Sequence, residues 1–170
     1  IVFELDTPGG ELMSVLGICN AIKSCSIKNT VAWVNRSAYS GGAVIALACR
    51  EIVTNDPATL GDALPITRSM FGMINSLPEH ERQKFLSPLI AELVDSARLR
   101  HYDEMLVQGI ASRGVELWMV ENNQTHQRIC VNKAEYEILF GEAPVSGSPV
   151  LASAPSVSES EAAPRPGGKR

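Results

Sequence analysis

Ile1-Val2-Phe3-Glu4-Leu5-Asp6-Thr7-Pro8-Gly9-Gly10 opens the chain. Its first five residues form an apolar, strand-like run, and the next five are a dense turn signal. Leu12, Val15, Leu16, Cys19 and Ile22 then keep helical spacing, which predicts a helix over 11–24. Residues 30–35 read as a second strand, and 36–42 are rich in small residues. Residues 43–50 read as a helix that is apolar nearly all round and therefore buried. Residues 51–55 suggest a third strand. Strand, helix, strand, helix, strand in this order predicts an α/β fold with a parallel sheet and crossover helices.

Further along, 57–65 reads as a loop containing Gly61, and 79–101 as a long helix despite Pro88, expected near its first turns or at a kink. A helix over 103–112 follows. Residues 115–120 and 127–131 read as strands joined by the polar Glu121-Asn122-Asn123-Gln124-Thr125 turn, a hairpin by composition. Residues 133–140 close the domain with a short helix. From Gly141 the composition collapses to Ala, Pro, Ser and Gly, which bury too little apolar surface to offset chain entropy. The expected organisation is one domain over 1–140 and a disordered tail over 141–170. The chain begins inside a strand, without an initiator Met or a signal-peptide pattern, so an N-terminal part is expected to precede it.

At 170 residues and 45% hydrophobic content, one domain with a real core is accessible. The net charge of -4 lacks the excess of clustered Lys and Arg that a nucleic-acid surface needs. No apolar run reaches the ~18–20 residues of a membrane span. Cys19, Cys25, Cys49 and Cys130 lack the spacings of a zinc or CxxC site and read as ordinary thiols, Cys49 in the core. A Cys19–Cys25 disulfide is geometrically conceivable, with nothing in the sequence to support it.

Ser40 precedes Gly41-Gly42 and a buried helix, so its hydroxyl belongs where helix N-terminal amides point outward. Such amides stabilise the oxygen anion formed when a serine attacks a carbonyl, each donor contributing about 3 kcal/mol. The plainer reading is that Ser40 merely caps its helix. The Gly9-Gly10 turn closes a strand at the carboxyl end, where open α/β sheets place their sites, and glycines there can present N–H groups to a ligand.

Together and in this order, Glu4-Leu5-Asp6-Thr7-Pro8-Gly9-Gly10, Ser37-Ala38-Tyr39-Ser40-Gly41-Gly42-Ala43 with Ile45-Ala46-Leu47-Ala48, Glu51-Ile52-Val53 and Ala58-Thr59-Leu60-Gly61 resemble the NfeD-type membrane-associated serine proteases. These are relatives of signal peptide peptidase A and the Clp protease subunit. The resemblance covers residues 1–140 and implies a Clp/crotonase-like parallel sheet with flanking helices. It implies a serine endopeptidase with Ser40 as nucleophile and amides near Gly9, Gly10 and Gly41 as oxyanion hole. Clp proteases use a histidine shortly after the nucleophile, but the matching Gly61-Asp62-Ala63-Leu64-Pro65 has none, and His80, His101 and His126 stand elsewhere. NfeD-type enzymes use a Ser-Lys dyad, and Lys84 in Arg82-Gln83-Lys84-Phe85-Leu86 falls at the matching place. As a base it needs burial to lower its pKa, which Phe85, Leu86 and the run Met70 to Leu77 can supply. Otherwise it is a solvated lysine among Glu79, Glu81 and Arg82.

Ser37 is an alternative hydroxyl, one turn too early. Asp62 is expected to cap a turn rather than to orient the site, Met70-Phe71-Gly72-Met73-Ile74 to form a lid or core packing, and Trp33 and Trp118 to lie in the core. No metal, nucleotide or other cofactor is required. The resemblance implies protein or peptide substrates with apolar cleavage segments, stomatin-like membrane proteins among them, and self-association. Family members often carry a membrane-spanning part and a small C-terminal β-barrel, neither of which is found in these residues. The rivals are a crotonase-type acyl-CoA enzyme and a catalytically inactive module that binds a membrane partner.

Overall fold

The computed structural model describes residues 1–64, 68–69, 72–73, 79–112, 114–144 and 149–152. A parallel sheet is built from β1 (Val2–Thr7), β2 (Val31–Tyr39), β3 (Glu51–Thr54) and β4 (Thr59–Gly61). β2 is its axis. One edge pairs with β1; on the other, Val31–Val34 pair with β3 and Ser37–Tyr39 with β4. Helices α1 (Leu12–Ser24) and α2 (Gly41–Ala48) connect β1 to β2 and β2 to β3, the crossovers that parallel strands require. The fold is the expected mixed α/β arrangement, a parallel sheet with flanking helices.

β2 runs four residues past the expected end at Asn35, and β4 lies inside the expected loop. A bulge explains both. Leu5 faces Val34 but Thr7 faces Ala38, so two steps along β1 (7 − 5) match four along β2 (38 − 34). Asp6 holds the surplus residues: its carboxylate accepts from Arg36 Nε at 2.8 Å, from Arg36 Nη2, and from Ser37 Oγ at 3.1 Å. The Arg36 guanidinium, helped by the Ser37 hydroxyl, holds the Asp6 carboxyl below the usual carboxylate range. Past the bulge, β2 exchanges β3 for β4 and continues to the site.

The core lies between the sheet and its helices. Val15, Cys19 and Ile22 of α1 meet Val44 and Leu47 of α2 and Leu89, Leu93 and Ala97 of α3 (Glu79–Arg100). Fully burying one such leucine contributes about 1.5–3 kcal/mol. All of α2 except Ile45 is buried, and its Gly and Ala residues let the helix lie close to its neighbours. Pro88 sits inside α3. Trp33 and Trp118 are half-buried rather than in the core. Trp33 alternates with buried Ala32 and Val34, so it faces away from them, and its Nε1 donates to Asn55 Oδ1 at 3.4 Å.

Arg68–Ser69 (β5) and Gly72–Met73 (β6) pair antiparallel; Met70, Phe71 and Ile74 of the expected lid lie outside the described residues. α4 (Glu104–Gly109) precedes the expected hairpin of β7 (Glu116–Glu121) and β8 (Arg128–Asn132). α5 (Lys133–Phe140) starts with an Asn132–Glu135 capping box and ends at left-handed Gly141. Within the expected tail, Leu151–Ala152 (β9) pair with β7, because the Leu151 side chain packs over Gly109.

α3 is tied to α1 by Lys23, whose Nζ contacts Glu92 Oε1 at 2.8 Å and also Asp95 Oδ2. Burial alone would lower its pKa, but the hydrogen bonds it donates to Asp95 and Glu92 outweigh that and raise it. Lys23→Met should lower stability by about 2 kcal/mol in urea unfolding, less than the roughly 3–5 kcal/mol of fully buried pairs because Asp95 is largely exposed. The contribution of the charged lysine is complete below its ordinary value of about 10.4 and is lost as pH rises through the raised folded value.

All four cysteines are free. Burial, then Glu92, pushes the Cys19 thiol up to about 12, and burial pushes Cys49 to about 11. Both should resist a thiol reagent such as DTNB near pH 8 in the folded protein and react at once in denaturant; prompt labelling of either in the native state contradicts this packing.

Candidate active site

β2 ends at Tyr39 and α2 begins at Gly41, so Ser40 makes the whole turn between them. It does so at φ 50° and ψ −121°, a positive-φ conformation that costs a serine of order 1–3 kcal/mol. Its N–H donates to Gly61 O at 2.9 Å, and its carbonyl accepts from Ala43 N at 3.0 Å and Val44 N at 3.3 Å. The side chain makes no capping hydrogen bond. Ser40 therefore caps α2 with its backbone position alone, and its hydroxyl is uncommitted among the described residues.

The Gly9-Gly10 turn is stacked against this serine. Gly9 has φ 118°, and a Cβ built there would stand 2.6 Å from Ser40 Cβ, 3.0 Å from Ser40 Oγ and 3.3 Å from Gly41 N. A Cβ at Gly41 would stand 2.4 Å from Val15 Cγ2 and 3.2 Å from Gly10 N. Only glycine permits such approach at both places. The amides of Gly10 and Gly41 are thus neighbours at Ser40, and among the described residues neither donates a hydrogen bond. Gly41 is the first residue of α2, where the helix leaves its N–H groups unpaired.

Gly9 differs from its two companions, since its N–H donates to Thr7 Oγ1 at 3.1 Å. In the first turn of α1, the Glu11 carboxylate accepts from Met13 N at 2.8 Å and Ser14 N at 2.7 Å. Those amides, with the Ser14 hydroxyl, hold Glu11 below the usual carboxylate range. Among the described residues, Gly10 and Gly41 are thus open donors next to Ser40. A hydroxyl beside two neighbouring amides can attack a carbonyl while the amides hold the resulting anion.

Lys84 lies near the start of α3 with its side chain exposed. No hydrogen bond or ion pair joins it to Ser40 among the described residues. Residues 70–71 and 74–77, expected to desolvate it, and the side chains of Phe85 and Arg82 lie outside what the structure describes. Ser37 is committed to Asp6. Asp62 is exposed at φ 48°, and its carboxylate bonds no described residue, so it caps no described turn. His101 is exposed, and His126 pairs with Glu121 on the β7–β8 hairpin. Sequence reasoning missed two holding contacts, Thr7 on Gly9 and Gly61 on Ser40; Thr7 and Gly61 stood inside quoted motifs, but nothing local marks their partners.

The family model described as NfeD1b, N-terminal domain, matches residues 1–160. A search of curated proteins returns no match. Among solved structures, a serine-to-alanine mutant of the 1510-N membrane-bound stomatin-specific protease is 24% identical with a TM-score of 0.56, over 66% of this chain and 54% of its own. A lysine-to-alanine mutant of the same protease, in complex with a substrate peptide, is 25% identical with a TM-score of 0.57, over 66% and 51%. The chain thus spans about half the length of these relatives.

Gly9→Ala should destabilise the protein by more than the ~1–2 kcal/mol of a left-handed alanine, because the new methyl also meets Ser40 Cβ. Adding Ser40→Gly should recover part of that loss in chemical unfolding. Strictly additive effects would show that residues 9 and 40 do not touch.

Proposed function

We propose that this chain, which belongs to the NfeD1b N-terminal-domain family, is a serine endopeptidase that cleaves apolar segments of membrane-associated proteins. The observation that carries this is the strained Ser40, its hydroxyl uncommitted among the described residues, beside the amides of Gly10 and Gly41, which donate to none of those residues. Ser40 Oγ attacks the scissile carbonyl while Lys84 takes the hydroxyl proton. The Gly10 and Gly41 amides hold the oxyanion, with Gly9 leaving room for it. Lys84 passes the proton to the departing amine, and water then hydrolyses the acyl-Ser40 ester. No cofactor enters this sequence.

The Ser-Lys assignment is supported by the relatives, in which a serine and a lysine are replaced, the lysine variant holding substrate peptide. A stomatin-like substrate is proposed from that protease's specificity, and association with a membrane from its being membrane-bound. Among the described residues, no helix is long and apolar enough to cross a membrane. Self-association is part of the proposal, and exposed Ile138, Leu139 and Phe140 on α5 offer apolar surface for it.

The test is cleavage of casein and of an apolar internally quenched peptide, with fluorophosphonate labelling alongside. Ser40→Ala should lose at least about 10³-fold in kcat and all labelling at position 40. Lys84→Ala should lose about 10²–10⁴-fold at neutral pH. Undiminished cleavage by Ser40→Ala sinks the dyad, whereas full activity in Lys84→Ala removes only its base. Labelling at Ser40 also separates a protease from an acyl-CoA enzyme, which needs no serine nucleophile.

A further inference from the structure

Resting on the reading of Ser40 as nucleophile, we infer that Thr7 is the positioning residue of the oxyanion turn, its hydroxyl holding Gly9 so that the Gly10 amide stays beside Ser40. Thr7 is the last residue of β1 and pairs with Ala38, two residues before the nucleophile. Its two branches do different things. Oγ1 accepts the Gly9 N–H at 3.1 Å and lies 3.4 Å from Gly9 O, to which it can donate. Cγ2 stands over the first turn of α2, 2.5 Å from where a Cβ at Gly42 would be. One β-branched side chain therefore touches both the turn that carries Gly10 and the helix that carries Gly41.

Gly9 needs that hold. At φ 118° it occupies backbone space that glycine enters freely and leaves as freely. Engaging its N–H and carbonyl with one hydroxyl restrains the peptide that leads to Gly10. It also removes the Gly9 N–H as a competing donor, leaving Gly10 as the amide that meets the anion. Thr7 touches no reacting atom in this arrangement. Losing its hydroxyl should raise the barrier to the chemical step and leave substrate binding alone.

The experiment compares Thr7→Val, which keeps the methyl and deletes the hydroxyl, with Thr7→Ser, which does the reverse. In the full chain, kcat and KM are measured on the internally quenched apolar peptide, the fluorophosphonate labelling rate is followed, and amide exchange at Gly9 is read by NMR. Thr7→Val should lower kcat and labelling about 10- to 100-fold with KM unchanged and speed exchange at Gly9, given that deleting one oxyanion donor costs 10²–10³. Thr7→Ser should stay within a few-fold of wild type in kcat even if its melting temperature falls. If Thr7→Val labels as fast as wild type, or Thr7→Ser loses as much as Thr7→Val, the role of the hydroxyl is overturned while the protease reading stands. If wild type neither labels at Ser40 nor cleaves the peptide, the functional reading fails first and takes the role of Thr7 with it.

Discussion

The hydrogen bond from Ser40 N–H to Gly61 O, 2.9 Å long, holds β2 in the sheet to its last residue and leaves no room for a loop before α2. The chain must pass from strand to helix within one residue, and the positive-φ conformation of Ser40 is how it does so. That strain is of order 1–3 kcal/mol and is offset nearby. α2 is buried along almost its whole length, so relaxing Ser40 would lift Val44 and Leu47 out of the core. The burial of one short helix thus keeps the serine in a conformation where its hydroxyl cannot serve as an ordinary cap.

Gly61 can supply that carbonyl because β2 changes neighbours halfway along. β3 pairs only with the stretch before the bulge and β4 only with the stretch after it. Without the surplus gathered by Asp6, Arg36 and Ser37, the register Leu5↔Val34 would carry Thr7 opposite Arg36 instead of Ala38. The Gly9-Gly10 turn would then fall two residues short of Ser40. The bulge is therefore the device that brings the end of β1 level with the end of β2, and bulges commonly re-aim side chains beside active sites.

Much of this was legible because it is local. Apolar spacing marks α1, the polar turn marks the hairpin, and Asn132, Glu135 and Gly141 mark both ends of α5. Ser40 and Gly10 could be picked out because helix-start amides and a glycine turn at a strand's carboxyl end are sequence patterns. What escaped is non-local. The length of β2 depends on an aspartate 30 residues upstream of its arginine partner, and β4 is three residues that become a strand only against the bulged half of β2. Gly9 looked equivalent to Gly10, and only the Thr7 contact separates their roles. β9 was invisible because two residues in an Ala-, Pro- and Ser-rich stretch carry no periodicity, and they pair through contacts of Leu151.

The two halves of the proposed chemistry are held by different means. The oxyanion half is braced from β1, β2, α2 and β4 at once. The lysine half sits on α3, whose anchors are Leu89, Leu93 and Ala97 in the core and the Lys23 bridge to Glu92 and Asp95, all C-terminal to Lys84. Lys84 projects from the end beyond those anchors and is exposed. Only a neutral amine can accept a proton, so the proposed dyad works only where bound substrate excludes water from the site. An apolar cleavage segment lying over that end of α3 would exclude the water by its own chemistry. Under the proposed mechanism, preference for apolar substrates and activation of the base are then one effect. A polar peptide held equally well at the oxyanion amides would still react slowly, because it leaves the lysine solvated.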